Sequence, residues 1–379
     1  MSTTGGNNIQ VLYLVSRLHR HGPIFQLYNI IKYLDRGKFY PRVVTLSPEA
    51  SDSLLPAFEK IDVKCSSLGL SRLAGMIAGA GIIRKLLQEN PVDLIHSSDY
   101  RSVLLCAISF SDIPRVVTCR QAFDHTHYTL HGGIDPVSAR VIPKTLEMAC
   151  RKCERVVGVS DFVRRSAERE LAARMDVIHN GVDQDMFKMP GKEKTASLRS
   201  KLNLPQDKHI FLSSGLSKRK DPVTIVKAFL ESKVSRTAIL VLLGDGALRE
   251  KCSHLAGAES HIRIVGFVDN VKDYLGAADT FISASLAEGC PNAVMEAMAC
   301  GLPVVLSDIP PHREILAFDE RAGFVFTTKD AASLSIALAK SRDMNYSEQS
   351  SAALGIIRNH LNARNMSLKY QELYAELCG

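Results

Sequence analysis

Short apolar runs of strand length alternate with helix-length stretches through most of the 379-residue chain. Helices fit between these runs, for example over Phe25–Leu34 and Leu73–Gln88. The predicted strands are Ile9–Val15, Pro41–Leu46, Asp93–His96, Arg115–Thr118, Arg155–Val159 and Met175–Ile178 in a first set, and His209–Ser213, Ala238–Leu243, Ile262–Val265, Thr280–Ser283 and Pro303–Leu306 in a second. Alternation of this kind predicts an α/β fold with parallel sheets and crossover helices.

A segment rich in Lys, Pro and Gly, Asp185–Asp207, separates the two sets of strands. The chain is long enough for two domains of ordinary size. We therefore predict two doubly wound domains in tandem with a cleft between them. A last helix is predicted over Arg364–Leu377, with apolar positions at Met366, Leu368, Tyr370, Leu373, Tyr374 and Leu377.

The composition, 46% hydrophobic and 23% charged, is typical of a soluble globular protein. No apolar stretch reaches the ~18–20 residues of a membrane span, and the polar start does not resemble a signal peptide. Nine scattered cysteines predict reduced thiols and a cytoplasmic location. Cys150 and Cys153 are interpreted as buried thiols because no second zinc-type pair follows. The net charge of +7 comes without basic-aromatic interleaving, so no nucleic-acid partner is predicted.

Two glutamates eight residues apart, Glu288 and Glu296, flank a turn rich in structure-breaking residues. Glu288 is expected at the carboxyl end of a strand, and Glu296 about one turn inside a helix that starts near Asn292, which suits an N-cap. Ligands of open α/β sheets bind at that edge, where the N–H groups of residues 291–294 favour anionic or hydroxyl-rich groups. The alternative, two acids that only favour a helix N-terminus, leaves the Gly-Cys-Pro-Asn turn unexplained.

The run from Ala284 to Val305 resembles the signature of the retaining, nucleotide-sugar-dependent glycosyltransferases of family 4, which have the GT-B fold. Further motifs follow in the family's order: Val156–Ser160 in a late N-domain strand, Val177–Asp183 in the hinge, Ser214–Pro222 in the diphosphate-binding loop, and Leu243–Gly246 and Val265–Val268 at strand ends near the nucleotide. The resemblance covers almost the whole chain.

The fold implied by this resemblance has two Rossmann-like domains that face each other across a cleft. Residues 1–185 would bind the acceptor, and residues 186–360 would bind the nucleotide-sugar donor. Residues 361–379 would form a helix that crosses back onto the N-terminal domain.

The resemblance also implies a role for each matching residue. Glu288 would contact the donor sugar's hydroxyls, and Glu296 would bind the ribose. Lys220, helped by Arg219, would neutralise the diphosphate, because a leaving nucleoside diphosphate needs fixed positive charge. The remaining donor contacts are assigned to Gly22, Gly215, Gly244, Gly266, Phe267, Val268, Gly289, Cys290, Pro291 and Asn292.

Two positions depart from the family pattern. Gly215 stands five residues before Lys220, where the family usually has an arginine, and Lys218 or Arg219 is expected to substitute. Arg120 follows the fourth predicted strand, where many members have a histidine near the reacting sugar. Arg120 is expected to stabilise phosphate or acceptor charge, but it cannot act as a base.

A base or an acceptor contact is therefore sought elsewhere in the N-terminal half. A polar loop carries Asp124, His125, His127 and His131, and a merely solvated loop is an equal alternative. His96, at the end of a strand, is a weaker candidate for which a hydrogen-bonded structural role is favoured.

The resemblance implies transfer with retention at the anomeric carbon through an oxocarbenium-like transition state. The favoured route is front-face attack, in which the departing diphosphate receives the acceptor proton, and a Glu288 nucleophile is the disfavoured alternative. Arg219 and Lys220 are expected to replace a divalent ion, so neither a metal nor another cofactor is predicted. The donor is expected to be a UDP-sugar.

The stretch Arg17–Leu34 resembles members that build bacterial surface polysaccharides, such as O-antigen or capsule, on polyprenyl-diphosphate-linked acceptors. A lipid-linked glycan acceptor and a peripheral position at the cytoplasmic membrane face follow from this resemblance. Leu70–Leu87 is apolar with basic flanks, and it is interpreted either as a membrane-surface segment or as a partly buried helix. Two rival functions stay open: a nucleotide-sugar epimerase of the same fold, and a catalytically silent nucleotide-sugar-binding scaffold.

Overall fold

The structure is a computed structural model that describes residues 8–71, 75, 78–110, 112–124, 128–130, 134–259, 261–343 and 345–379. The chain forms two compact units. The N-terminal unit comprises Met1–His125, Pro136–Gly181 and Ala363–Gly379, and the C-terminal unit comprises Thr126–Asp135 and Val182–Asn362. The unit boundaries at 181/182 and 362/363 lie a few residues from the predicted boundaries at 185/186 and 360/361.

The N-terminal unit is built on a parallel sheet of seven strands in the order β3-β2-β1-β4-β5-β6-β7. The strands are β1 Ile9–Val15, β2 Phe39–Thr45, β3 Lys64–Ser67, β4 Leu94–Ser97, β5 Arg115–Cys119, β6 Arg155–Gly158 and β7 Met175–Val177. The strand order reverses between β1 and β4, and such a reversal opens a crevice at the carboxyl ends of the two strands. The central strands are apolar and buried because helices cover both faces of the sheet.

Helices of the N-terminal unit join these strands and pack against both faces of the sheet. They are α1 Gly22–Lys32, α2 Leu55–Glu59, α3 Gly79–Glu89, α4 Tyr100–Ser109, α5 Pro136–Cys150, α6 Asp161–Ser166, α7 Arg169–Ala172 and, at the end of the chain, α16 Ala363–Cys378. One face of the sheet packs against α1 and α16, and the other against α3 and α4.

The C-terminal helix α16 belongs to the core of the N-terminal unit. It buries Met366, Tyr370, Leu373 and Tyr374 in the same cluster as β1 and α1. The hydroxyl of Ser367 donates to the carbonyl of Ile30 at 2.7 Å, which fixes α16 against α1. The predicted return of this helix to the N-terminal domain is confirmed. Leu368, another apolar position of this helix, is 53% exposed.

The C-terminal unit has a parallel sheet of six strands in the order β10-β9-β8-β11-β12-β13. The strands are β8 His209–Ser214, β9 Ala238–Leu243, β10 Ile262–Gly266, β11 Thr280–Ser283, β12 Val304–Ser307 and β13 Gly323–Phe326. The helices are α8 Lys192–Lys201, α9 Pro222–Glu231, α10 Arg249–Ala256, α11 Val271–Ala277, α12 Asn292–Ala299, α13 Pro310–Leu316, α14 Ala331–Asp343 and α15 Tyr346–Asn359. The strand order reverses between β8 and β11, which makes this unit doubly wound as well.

The predicted strands all exist, with ends that shift by one or two residues. The prediction missed β3 and β13, which each lie at one edge of their sheet, whereas the opposite edge strands β7 and β10 were predicted. Edge strands are short and often polar, and β3 reads Lys-Cys-Ser-Ser, so it lacks an apolar signal. Among the described residues, no helix has both the length and the apolar composition needed to cross a bilayer.

The nine cysteines all lie among the described residues and carry free thiols. Cys150 and Cys153 are both buried, Cys150 at the end of α5 and Cys153 just beyond it. Burial raises the pKa of the Cys153 thiol to about 12. These two residues are inert core thiols, as predicted.

Candidate active site

Three neighbouring strands of the C-terminal sheet, β8, β9 and β10, end at glycines with left-handed backbone conformations. The φ angle is +91° at Gly215, +91° at Gly244 and +90° at Gly266. The N–H of Gly215 donates to the Leu243 carbonyl at 2.8 Å, and the N–H of Gly244 donates to the Gly266 carbonyl at 2.6 Å. These glycines turn the chain at the carboxyl edge of the sheet, where a bare backbone can approach a ligand closely.

The loop after β8 carries three cations, Lys218, Arg219 and Lys220, on a short, constrained turn. Lys218–Lys220 form a single 3-10 turn, and Asp221 follows with φ +45° and caps α9 through its side chain. A Cβ atom added at Gly215 would lie 2.9 Å from Cγ of Lys220. The stem of Lys220 therefore packs against Gly215, and the φ of +91° at Gly215 favours glycine at this position. Arg219, next to Lys220, provides a further cation at this site.

Glu288 lies in the loop after β11, on the other side of the strand reversal. It contacts two of these cations, Lys220 and Arg219. Its Oε1 is 2.6 Å from Nζ of Lys220, and its Oε2 is 2.6 Å from Nη1 of Arg219. Arg219 also donates to the Ala287 carbonyl at 3.0 Å, and its own carbonyl accepts the N–H of Leu286 at 2.8 Å. Glu288, Lys220 and Arg219 are called the charged cluster below. Glu288 is only 7% exposed. Its negative charge is therefore balanced mainly by Lys220 and Arg219 and not by water.

The charged cluster keeps Glu288 ionised. Burial alone would raise the pKa of its carboxyl, but the charges of Lys220 and Arg219 and the hydrogen bonds from Lys220 and Ser285 outweigh burial. Together they hold the pKa of Glu288 well below its usual range. At neutral pH the cluster therefore contains one negative and two positive charges.

Glu296 lies in the second turn of α12 in a different electrostatic environment. It is partly buried, and burial raises the pKa of its carboxyl to about 7, against the opposing charge of Lys220. Asn292 is the first residue of α12 and Pro291 is its N-cap, so the prediction of Asn292 as the cap is wrong by one residue. The predicted set of free N–H groups at 291–294 is also wrong. Proline has no N–H, and the N–H of Val294 donates to the Pro291 carbonyl at 3.1 Å.

The other predicted donor contacts lie around the same edge. Gly289 and Cys290 are buried in the turn between the two glutamates. Phe267 is 73% exposed just after β10, and Val268 beside it is partly exposed. Gly266 itself is buried, so the exposed part of this segment begins at Phe267.

Sequence reasoning missed a set of buried polar side chains below Glu288. They are Ser283, Ser285, Ser307 and His312, and each is almost fully buried. The hydroxyl of Ser285 donates to Oε1 of Glu288 at 2.8 Å. The only sequence signal for these residues is a polar side chain at the carboxyl end of an otherwise apolar strand.

In the N-terminal unit, His96 has a structural environment. Its Nδ1 lies 2.6 Å from the hydroxyl of Tyr374, and its Nε2 lies 2.8 Å from the hydroxyl of Thr118. Burial lowers the pKa of His96 to about 3, so the ring is neutral. Both ring nitrogens are occupied, and the contact with Tyr374 ties α16 to the sheet. The structure thus favours the structural role over an acceptor contact.

Arg120 lies just after β5, and its Nη1 is 3.4 Å from Oδ1 of Asn180. Asp124 is partly exposed in the segment that follows. His125, His127 and His131 lie outside the described residues. The candidate acceptor loop therefore stays a prediction.

Gly22, one of the predicted donor contacts, is the first residue of α1, with His21 as the N-cap. A different group occupies the strand reversal of this unit. Asp99 follows β4, and its carboxylate accepts the N–H and the hydroxyl of Ser16, both at 2.6 Å. It also caps α4 by accepting the N–H of Ser102 at 3.2 Å.

The predicted hinge is held by α1. The side chain of Gln26 accepts the N–H of Gly181 at 3.0 Å, and the side chain of Asn29 donates to its carbonyl at 3.1 Å. The chain also contains one Asp-x-Asp run, Asp183-Gln184-Asp185, which the prediction of metal independence overlooked. Asp183 is buried, and its Oδ1 accepts the N–H of Asp185 at 2.9 Å. Within the part of the chain that is described, no three His, Cys, Asp or Glu residues are grouped to hold a metal ion.

Two family models match this chain, and together they span both units. The model described as Glycosyltransferase Family 4 matches residues 25–186, and the model described as Glycosyl transferases group 1 matches residues 207–341. The second match contains the charged cluster and Glu296. The chain is a family 4 glycosyltransferase.

Known relatives of this glycosyltransferase include two Escherichia coli proteins. It is 26% identical over 277 residues, 68% of each chain, to the UDP-Gal:alpha-D-GlcNAc-diphosphoundecaprenol alpha-1,3-galactosyltransferase. It is 23% identical to the O-antigen biosynthesis glycosyltransferase WclY over 97% of this chain and 99% of that one. Among solved structures, HepE of Anabaena in complex with UDP has a TM-score of 0.80 at 19% identity, covering 97% of this glycosyltransferase and 100% of HepE. The predicted GT-B fold is confirmed.

Proposed function

We propose that this glycosyltransferase transfers a sugar from a UDP-sugar to a lipid-linked glycan acceptor, with retention at the anomeric carbon and without a metal ion. The observation that carries the proposal is the charged cluster at the strand reversal of the C-terminal sheet. Two cations and a carboxylate meet there at 2.6 Å, beside three strands that end in left-handed glycines. Uridine as the base is supported by the UDP bound to HepE and by the UDP-Gal in the name of the E. coli relative.

Donor binding would exchange the partners of the charged cluster. A diphosphate brings more negative charge than one carboxylate and presents oxygens that match both an ammonium and a guanidinium. Lys220 and Arg219 would therefore turn from Glu288 to the diphosphate. Glu288, ionised and released from two ion pairs, would then accept hydrogen bonds from the sugar hydroxyls. Glu296 would bind the ribose hydroxyls from the start of α12.

The chemical step follows from this arrangement. The bond between the anomeric carbon and the diphosphate oxygen breaks, and the acceptor hydroxyl oxygen bonds to the same face of that carbon. The acceptor proton passes to the departing diphosphate. Lys220 and Arg219 stabilise the negative charge that develops on the leaving group, which is the role a divalent ion would otherwise serve.

The acceptor is proposed to be a glycan on a polyprenyl diphosphate, because the E. coli relative is named for a diphosphoundecaprenol acceptor and WclY for O-antigen biosynthesis. An enzyme with such an acceptor must work at a membrane surface. The outward face of α5 suits that position. Val137, Val141 and Met148 are exposed on it, with 69% exposure at Val137 and 66% at Met148. Arg140 and Lys144 are exposed between them, a mixture that favours an anionic lipid surface.

The other segment considered for membrane contact is Leu70–Leu87, and the structure describes only part of it. Its positions 72–74 and 76–77 lie outside the described residues. The part in α3 packs Ile83 and Leu87 into the core, which corresponds to the partly buried helix of the two alternatives.

The donor assignment is tested by calorimetric titration of the purified protein, after EDTA treatment, with UDP, GDP, ADP and CMP. We expect binding of UDP, and loss of that binding in Lys220→Ala. Lys218→Ala is the matched control, since Lys218 is an exposed cation in the same turn and contributes to none of the ion pairs of Glu288. Absence of binding to all four nucleotides would contradict the donor assignment.

The reaction is tested with UDP-hexoses and a synthetic GlcNAc-diphospho-polyprenol acceptor. We expect UDP release only when the acceptor is present, and an α-linked product from an α-linked donor by NMR. An inverted product, release of UDP without acceptor, or activity restored only by Mg²⁺ or Mn²⁺ after EDTA would each contradict one part of the proposal.

The membrane face of α5 is tested by binding of the protein to mixed vesicles of anionic and neutral lipid. The variant is Val141→Glu/Met148→Glu.

A further inference from the structure

A connected set of four buried polar side chains lies directly below Glu288. Ser283 ends β11, Ser285 follows it, Ser307 ends β12 and His312 lies in α13. Their exposed fractions are 6%, 0%, 0% and 0%, in that order. Buried hydroxyls and imidazoles are costly unless they are hydrogen bonded, so their contacts call for an explanation. These residues are called the serine–histidine chain.

The directions of the hydrogen bonds that Ser285, Ser307 and His312 donate are fixed by their acceptors. A carboxylate and a carbonyl can only accept, so Ser285 donates to Oε1 of Glu288 at 2.8 Å, and Ser307 donates to the Ser285 carbonyl at 2.6 Å. Nδ1 of His312 lies 2.9 Å from the Ser307 carbonyl and must therefore carry the proton. Nε2 is then an acceptor, 3.4 Å from the hydroxyl of Ser283. The chain holds one imidazole tautomer.

The imidazole stays neutral in this environment. Burial lowers the pKa of His312 to about 4, with the hydrogen bond to the Ser307 carbonyl and the charge of Glu288 acting in the opposite direction. His312 is too remote to touch a substrate, because Ser285 and Ser307 lie between it and Glu288. A role in binding or proton transfer at the reacting atoms is therefore excluded for His312, and a role through its neighbours is left.

Ser285 differs from the other two side chains that contact Glu288. Lys220 and Arg219 are long cations on a loop, and in the proposed function both turn to the diphosphate. Ser285 is short, uncharged and fully buried next to a strand end, and its own backbone is held by Ser307. When the cations leave, the Ser285 hydroxyl is the partner that keeps the Glu288 carboxylate in place.

We propose that Ser285, Ser307 and His312 are positioning residues that hold the Glu288 carboxylate toward the donor sugar once Lys220 and Arg219 have moved to the diphosphate. The inference rests on the proposed function, and it goes beyond it by assigning a task to three residues that bind neither donor nor acceptor. Misplacement of a reacting or orienting group by about 1 Å can reduce turnover by about 100-fold, so loss of this support acts on turnover.

The test uses four variants of the full chain. Ser285→Ala removes the hydrogen bond to Glu288. His312→Leu removes the N–H donor at similar volume, and His312→Asn restores a donor near the position of Nδ1. Ser341→Ala is the matched control, because Ser341 is a buried serine of the same unit whose hydroxyl donates to the Leu338 carbonyl in α14. For each variant kcat, the KM for the UDP-sugar and the Kd for UDP are measured.

We expect kcat to fall about 10- to 100-fold in Ser285→Ala and His312→Leu, while the Kd for UDP changes less than about threefold. His312→Asn should recover most of the lost kcat, and Ser341→Ala should behave as the unchanged protein. Unchanged kcat in Ser285→Ala would overturn the proposal. Equal losses in His312→Leu and His312→Asn, or a parallel loss of UDP binding in all variants, would show that the chain only supports the fold and would also overturn it.

Failure of the proposed function gives a different result. In that case the unchanged protein itself would not bind UDP or would not turn over with any acceptor. If the unchanged protein is active and Ser285→Ala is fully active, the positioning role is rejected and the proposed function is kept.

Discussion

The two units share a doubly wound sheet with one reversal of strand order, and each has an acid in the loop at that reversal. In the N-terminal unit the acid is Asp99, whose carboxylate accepts backbone N–H groups of Ser16 and Ser102 and one hydroxyl. In the C-terminal unit the acid is Glu288, whose carboxylate is held by two long cationic side chains and one hydroxyl. Two of the three groups that donate to Asp99 are backbone N–H groups. The cations that pair with Glu288 are on long side chains, which can turn to another anion.

This difference indicates how one edge of a parallel sheet serves either folding or binding. A carboxylate that caps a helix cannot give up its N–H donors without exposing buried backbone groups. A carboxylate paired with lysine and arginine can be displaced by a phosphate at little cost, because the two cations keep an anionic partner throughout. The same residue type at the same place in the fold is therefore structural in one unit and exchangeable in the other.

The largest expected effect is on catalysis. Lys220→Ala should lower kcat/KM for the UDP-sugar about 10²- to 10³-fold, the usual loss when one group that stabilises developing charge is removed. Steady-state assay of UDP release measures it. Lys218→Ala serves as the control and should stay within about threefold. A comparable loss in Lys218→Ala would mean that the turn acts by its total charge and not through the cluster.

Asp99→Ala should act on stability instead. Loss of a helix cap and of the bond to Ser16 should lower the free energy of unfolding by about 1–3 kcal/mol, measured by urea denaturation. The Kd for UDP should stay within about twofold. The comparison between the units breaks if Asp99→Ala weakens UDP binding while stability is unchanged.

Glu296 provides a third test, because it lies at the same edge as Glu288 but has a raised pKa. Its pKa in the folded protein, about 7, is above the ordinary value of 4.5, so the folded state binds more protons than the unfolded state between these pH values. Stability is therefore lost as the pH rises through this range. Glu296→Gln should stabilise the protein at pH 8 by on the order of 1–2 kcal/mol and have little effect at pH 4. A gain of equal size at both pH values would exclude titration of Glu296 as its cause.

The smallest expected effect is on UDP binding, and it tests whether the diphosphate replaces Glu288 as the partner of the two cations. Glu288→Gln removes the negative charge that competes with the diphosphate for Lys220 and Arg219. The Kd for UDP should therefore decrease a few-fold, on the order of 1 kcal/mol or less, even though kcat falls. Calorimetric titration measures the Kd, and Asp245→Asn is the control, since Asp245 is an exposed acid in the loop after β9. Weaker UDP binding in Glu288→Gln would contradict the exchange of partners.

The strand and helix order of both sheets could be predicted from the sequence because buried parallel strands are continuous apolar runs. The edge strand Lys64–Ser67 could not, because it is polar and lacks an apolar run. The strand Gly323–Phe326 was also missed, although it is apolar. The positions of Glu288 and Glu296 followed from strand ends and spacing, and that of Lys220 from the resemblance to family 4. Their pairing did not, because the contact of Lys220 with Glu288 joins residues 68 positions apart.

Other misses have equally local causes. His312 is preceded by two prolines in an ordinary helix start, and nothing in that pattern indicates that its ring faces Ser307. Gly215 stands where the family usually has an arginine, and the sequence could not show that the neighbouring Arg219 contacts Glu288. Predictions at the level of strand ends succeeded, whereas predictions that needed the direction of a side chain did not.

The place of α16 has a consequence for the order in which the protein is made. The N-terminal unit buries Tyr370 and Tyr374 of α16 against β1 and α1, so its core is incomplete until α16 has been synthesised. The C-terminal unit needs no residue beyond Asn362 and can close first, although its residues are synthesised later than most of the N-terminal sheet. During synthesis the apolar face that α16 covers in the folded unit stays exposed. The nascent chain is therefore open to aggregation for longer than a chain whose two domains fold one after the other.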